Sequence, residues 1–177
     1  MIATDQAAVT SGGTTFAVMP TTYDHITFDR PAAWREVPIT FLTASWTPAA
    51  YWTNQDTVPE CRPHPENGGH TGCGPPITSL DTSGVLVIVI DLPASASSFH
   101  PNTIVAGRPA AVTASSCSGS APCYPGAVTT LTAVIRIPGE PSADLISTLQ
   151  LQGFFGSGSA DHAEQQMRQM LADARAP

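Results

Sequence analysis

Apolar residues along this chain fall into short runs with a period of two or none, and only near the C-terminus do they recur at three and four. The run at 85–90, Val-Leu-Val-Ile-Val-Ile, shows no polar alternation, which predicts a strand buried on both faces at the centre of a sheet. Residues 14–20 predict a short edge strand. Tyr23, Ile26 and Phe28, spaced by polar neighbours, predict a half-buried strand over 23–28, and Pro31-Ala-Ala-Trp34 a turn or a single helical turn. The β-branched and aromatic segment 39–46, bounded by Pro38 and Pro48, predicts another strand. Further strands are expected at 103–106 and 110–114, flanking a Gly107-Arg108-Pro109 interruption, and at 128–137. Residues 145–155 read as helix passing into strand. Ala163, Met167, Met170, Leu171 and Ala174 lie on one stripe and predict a terminal helix, with Asp161 and Glu164 spaced as a capping box.

Several strands followed by a helix, without regular βαβ alternation, predict an α+β fold: a single, mainly antiparallel sheet packed by a C-terminal helix and short helical turns. Residues 1–13, small and polar with a Ser11-Gly12-Gly13 break, are expected to be a flexible segment, leaving 14–177 as one disulfide-stapled domain. A chain of 177 residues can bury a real core. Trp34, Trp46 and Trp52 are expected to pack it rather than to bind sugar.

Charge narrows the partners. Only 12% of residues are charged, the formal net charge is −7, and all seven basic side chains are Arg. Catalysis by Lys is therefore excluded. Neither nucleic acid nor an anionic membrane surface is an expected partner for an acidic chain without a basic run. No apolar stretch is long enough to span a bilayer, and Met1-Ile-Ala-Thr-Asp5 lacks the start of an export signal, so any signal or anchor is expected upstream. Four cysteines lie in two close pairs within Pro-, Gly- and Ser-rich stretches, which suits an oxidising, extracytoplasmic compartment. Closure entropy favours pairing neighbours, Cys61 with Cys73 and Cys117 with Cys123, each bridge contributing about 2–3 kcal/mol.

The same sulfurs have a competing chemistry. Cys61, His64, His70 and Cys73 are four zinc-ligand types within one loop, although only five residues separate the two halves, which is tight for closing a tetrahedron. The expectation is a disulfide, with a small structural zinc site as the alternative. No Gly-x-Ser-x-Gly elbow, His-Glu-x-x-His helix or Walker loop is present. His25, His100 and His162 join His64 and His70 as candidate bases. Asp29, Glu36, Asp56, Glu60, Asp81 and Asp91 are eligible carboxylates, without spacing that would pair any two. Gly156-Ser-Gly-Ser159 could present backbone N–H groups to an anion, or simply connect to a capped helix.

Two resemblances bear on the class. Trp52-Thr-Asn-Gln55, Cys61, Thr71-Gly-Cys73-Gly-Pro-Pro-Ile77 and Leu80-Asp-Thr-Ser-Gly-Val-Leu-Val87 resemble a pattern in uncharacterised exported or lipid-anchored proteins of actinobacteria. Gly107-Arg108-Pro109-Ala110, the Cys117 loop and the Gln165-Gln-Met-Arg-Gln-Met-Leu171 helix fit its later part. Tyr23-Asp-His-Ile-Thr-Phe28 with Pro31-Ala-Ala-Trp34 is similar to the opening of PsbP-like domains, antiparallel sheets flanked by helices. Neither resemblance carries an activity or a catalytic residue. The expected function is a non-enzymatic extracytoplasmic domain, free of cofactor, that binds an unidentified protein or small ligand; a secreted hydrolase with a site assembled from distant residues is the alternative.

The competition at the Cys61 loop is directly testable, because a thiolate that ligates a metal cannot also be half of a disulfide. His64→Ala combined with His70→Ala should leave the unfolding free energy within about 0.5 kcal/mol of the parent, as surface substitutions do. Stoichiometric zinc by elemental analysis, lost in that double variant together with several kcal/mol of stability, would establish the metal site instead.

Overall fold

A computed structural model describes residues 7–11, 14–37, 39, 48–63, 71–117, 123–139 and 145–176. In chain order the elements are β1 (Ala7–Ser11), β2 (Thr14–Tyr23), β3 (Ile26–Pro31), β4 (Arg35–Val37), β5 (Pro48–Thr53), β6 (Cys61–Pro63), β7 (Thr71–Cys73), β8 (Val85–Ser95), β9 (Thr103–Val105), β10 (Arg108–Ser116), β11 (Ala127–Arg136), β12 (Leu145–Gly156) and α1 (Ala160–Ala172). The fold is α+β, mostly antiparallel strand with one C-terminal helix. It departs from expectation in having three sheets among the described residues: seven strands ordered β4-β5-β8-β12-β11-β10-β9, three ordered β1-β2-β3, and the pair β6-β7.

The unpatterned run at 85–90 occupies the place its composition predicts. β8 lies between β5 and β12, and every residue from Val85 to Ile90 is buried. The pleat divides them. Val85, Val87 and Val89 share a face with Phe155, Gly153 and Leu151, their register partners in β12, and join the main core with Trp52, Phe28, Met167 and Leu171. Leu86, Ile88 and Ile90 point the other way, into a second cluster with Tyr51, Ile77, Leu80 and Phe154. Helix α1 and the small sheet cover the first face; the segment around Ile77 and Leu80 covers part of the second.

Gly153 is what lets the helix approach. A Cβ there would stand 2.6 Å from Met167 Sδ and 2.7 Å from Phe155 Cζ, so only glycine leaves room for the buried methionine. The helical stripe is as predicted, with Ala163, Met167, Met170 and Leu171 buried. Its start is not. Ser159 is the N-cap residue, without a side-chain cap bond, and Asp161 lies inside the first turn. Glu164 serves an i,i+4 ion pair with Arg168 at 2.7 Å instead of reaching back to a cap. Past the helix, Arg175 pairs with Thr27 through N–H···O bonds of 2.8 and 3.0 Å, and its guanidinium grips Asp29 at 2.7 and 3.0 Å, clipping the tail to the edge of β3.

Other expectations are corrected. Ala7–Ser11, placed in a flexible segment, pairs with β2 in five-residue register, so β2 is the middle strand of its sheet rather than an edge. The strand expected over 23–28 is cut by a two-residue turn, Asp24-His25, with φ of +44° and +60°. Two successive left-handed residues match the twist of a hairpin, and Asp and His enter that region more readily than most side chains. Leu145–Gly156 is strand throughout; register against β8 and β11 on both sides overrides the local helical reading. Pro31-Ala-Ala-Trp34 is a turn, closed by Trp34 N–H donating to the Pro31 carbonyl at 2.9 Å. Of the strand expected at 39–46, Ile39 is described, half-buried against the second cluster, and 40–46 lie outside the described residues. Strand β5 begins at Pro48, a position where a strand tolerates a missing N–H.

Because a non-glycine residue gives up about 1–2 kcal/mol in the left-handed region, His25→Gly should raise stability by about 0.5–1 kcal/mol in chemical denaturation, the gain being trimmed by glycine's extra entropy in the unfolded chain. Unchanged or lowered stability would show that the turn does not carry this strain.

Candidate functional site

The two stretches Trp52–Gln55 and Leu80–Val87 meet and form one unit. Thr53 Oγ1 donates to the Val85 carbonyl at 2.7 Å, while Asn54 donates to the Ser83 carbonyl and accepts from Val85 N–H, both at 2.8 Å. Gln55 accepts from Asp81 N–H at 3.1 Å and reaches the Ser79 carbonyl at 3.4 Å. Polar side chains thus act as backbone here, carrying the ladder of β5 past its end and fixing the turn before β8. These residues are occupied in holding structure.

The same holds around the cysteines. Cys61 and Cys73 face each other across β6-β7 and are joined in a disulfide, with Cα atoms 4.0 Å apart. Cys117 and Cys123 are joined in the second, with Cα atoms 5.7 Å apart. Both sulfurs of the zinc alternative are therefore engaged with each other, and its other two members, His64 and His70, lie outside the described residues. Arg62, the middle residue of β6, donates to the carbonyls of Pro59, Pro75 and Ile77 at 3.0, 3.2 and 3.3 Å. Beneath it Tyr124 donates to the Ile77 carbonyl, and Tyr51 has its phenol pushed up to about 12 by burial and then by the charge of Glu60 and by Tyr124.

The remaining candidate chemistry does not converge. His25 sits in the β2–β3 turn rather than in a strand, and His25, His100 and His162 are exposed. Among the described residues no three His, Cys, Asp or Glu could hold a metal. Asp29 is held by Arg175, and Asp56 lies 3.7 Å from Arg35. Asp81 is exposed and Glu60 buried, while Glu36 projects from β4. The carboxyl of Asp91 is raised by partial burial and by the charge of Asp24. The Gly156–Ser159 connection has no N–H groups to offer an anion at three positions. Gly156, Gly158 and Ser159 donate to the carbonyls of Gly84, Thr82 and Gly156 at 2.9, 2.6 and 3.3 Å. Trp34 and Trp52 are core residues, 2% and 0% exposed; Trp46 is outside the described residues.

One concavity among the described residues has the character of a binding site, and from the sequence none of its residues is a functional candidate, Leu171 counting only as part of the helical stripe. It is an open groove of about 460 Å³ between the C-terminal half of α1 and the β9–β10 hairpin, with a floor of Val105, Val112 and Leu171. Ile104 forms its lip and is 62% exposed. Asn102 fixes one wall by acting as an extra strand residue, its side chain donating to the Val112 carbonyl and accepting from Val112 N–H, both at 2.9 Å. Arg168 stands at the other wall. Its Nε and Nη2 bind one oxygen of Glu164 at 2.9 and 2.7 Å. The hairpin bends at Ala106-Gly107, φ +50° and +75°, directly beside this floor. Only the hairpin's Gly-x-Pro punctuation hinted at it.

Comparison with protein-family models, curated proteins and solved structures found no match. No helix among the described residues is long and apolar enough to cross a membrane, and two disulfides are typical of extracellular proteins.

Arg62 generates the test of this region. Arg62→Ala removes three bonds from a charged donor, two of them part-buried, and should cost about 1–3 kcal/mol. Amide hydrogen exchange should quicken around 59–62 and 74–77 while 85–90 keeps its protection. Uniform loss of protection would show instead that the loop and the sheet open as one unit.

Proposed function

We propose that this chain is a non-enzymatic, extracytoplasmic binding domain whose groove between α1 and the β9–β10 hairpin receives a small apolar ligand with one anionic group. The observation that carries the reading is the groove's mixed lining: Ile104, Val105, Val112, Leu171 and Ala172 supply its apolar side chains, and Asn102, Thr103 and the Arg168 guanidinium its polar ones. A volume of about 460 Å³ is in the range of small-molecule sites, which are mostly apolar with few placed polar groups. A cation there favours a carboxylate or sulfonate end over a neutral one. The walls are rigid, one a helix docked on the core and the other a hairpin pinned by Asn102, so little order is lost on binding. The extracytoplasmic location is supported by the two disulfides and by the resemblance to exported actinobacterial proteins.

An anilinonaphthalene sulfonate, apolar with one anionic group, is the probe. It should bind the native chain saturably, with fluorescence enhancement. Ile104→Glu should weaken it at least tenfold while leaving stability within about 0.5 kcal/mol, since Ile104 is mostly exposed. Arg168→Gln should weaken the sulfonate but not a neutral naphthalene analogue. Absence of saturable binding, or binding indifferent to both substitutions, would overturn the assignment.

A further inference from the structure

Four consecutive residues, Asn102, Thr103, Ile104 and Val105, line the groove. Side chains of a strand alternate between the two faces of its sheet, so a run of neighbours lines one concavity only where that concavity follows the strand's edge and takes in its backbone. Strand β9 is the outermost of the seven, and among the described residues nothing pairs with its free side. The register fixes which backbone groups it leaves unbonded. Ile104 stands opposite Pro109, which has no N–H, and the two-residue turn Ala106-Gly107 makes Val105 and Arg108 the hydrogen-bonded pair that closes the hairpin. Thr103 and Val105 therefore direct their N–H and C=O groups to β10, and those of Ile104 point outward. Before Thr103 the edge is already filled, because the Asn102 side chain bonds both backbone groups of Val112 at 2.9 Å. What remains open is one donor and one acceptor, the complement of a single residue of an extended peptide.

We propose that the groove receives its ligand as an added strand: a short extended peptide that ends in an apolar residue with a free carboxylate and exchanges two backbone hydrogen bonds with Ile104. This rests on the reading of the groove as the binding site, and it names the class of apolar, singly anionic ligand that fits there. The pleat gives each part a place. The peptide residue opposite Ile104 lies beside that side chain, which is 62% exposed, and the terminal residue, set opposite Thr103, turns its side chain to the face of α1, toward Leu171. Its carboxylate meets Arg168, whose guanidinium gives two of its five N–H groups to Glu164 and has the others without a bond to any described residue. Charge favours such a peptide over a second copy of this chain, since pairing two copies edge to edge brings together two molecules of net charge −7. An edge open at one residue is also too short to template sheet growth, which is how native edges avoid self-association.

The probe is acetyl-valyl-valyl-leucine with a free carboxylate, titrated calorimetrically against the full chain. It should bind saturably and displace anilinonaphthalene sulfonate. N-methylation of the middle residue removes the N–H given to Ile104 and should weaken binding about tenfold or more. N-methylation of the leucine, whose N–H points away from β9, should weaken it about threefold at most, an alternation that only strand pairing produces. Replacing the carboxylate by an amide should weaken binding about tenfold in the parent and leave it unchanged in Arg168→Gln. Ile104→Pro removes the outward N–H without breaking a ladder bond and should lose the peptide, while Ile104→Ala, which keeps that N–H, should retain it. If Ile104→Pro does not fold, the two methylated peptides decide, and equal weakening by both refutes the added strand. Sulfonate binding without peptide binding would overturn the added strand and leave the groove standing; absence of both would overturn the two together. A dimer in sedimentation that Ile104→Pro dissolves, with no peptide bound, would give the edge to a second copy and refute the proposal.

Discussion

Strand β8 is the constraint to which the other elements answer. Its six leading residues bury alternate side chains on opposite faces, three into the core under α1 and three into the cluster around Tyr51 and Phe154. Fully burying six branched aliphatic side chains is worth on the order of 10 kcal/mol, comparable to the whole net stability of a domain. A strand with two apolar faces is stable only if both are covered. One cover is built from regular structure, α1 together with β3, and the other from the chain between β5 and β8, whose described backbone has no sheet partner beyond β6-β7.

That asymmetry explains where the polar locks and the disulfides lie. Helix α1 satisfies its own backbone and can cover the first face by its apolar stripe alone. The irregular cover must find hydrogen bonds elsewhere, and it finds them in side chains. Thr53, Asn54 and Gln55 bond the turn before β8, Arg62 collects three loop carbonyls, and the Tyr124 hydroxyl donates to one of them, that of Ile77. The Cys61–Cys73 bridge sits on the same segment and limits the conformations it can lose. The stretches Trp52–Gln55 and Leu80–Val87, with the Cys61–Cys73 pair, are thus what hold this cover on.

The groove arises at the far edge of the sheet for a related reason. Helix α1 is anchored over β11 and β12 and against β3, and beyond them β10 and β9 continue without a helix above them. The uncovered strip between Leu171 and Val105 remains open to solvent, with Ile104 at its lip. The site is therefore a product of the mismatch between a seven-stranded sheet and a single helix, and Arg168 reaches it because it follows Met167 on the flank of the buried stripe.

How much of this is in the sequence depends on whether local pattern or long-range register decides. The unbroken run at 85–90 can only be a two-faced strand, the Met167–Met170–Leu171 stripe can only be a helix face, and close cysteines in loops pair locally; these follow from periodicity and chain entropy. Residues 145–155 and 23–28 were misread because their conformation is decided elsewhere, by β8 and β11 flanking the one and by a left-handed Asp24-His25 turn interrupting the other. Ala7–Ser11 carries no apolar pattern of its own and becomes a strand only because β2 presents an edge. The groove is less legible still. Ile104 and Arg168 come from separate elements, and neither has a neighbour in sequence that marks it. Local chemistry determined which segments could be strand or helix; only the packing of two unequal sheets around one helix decided which side chains would face one another.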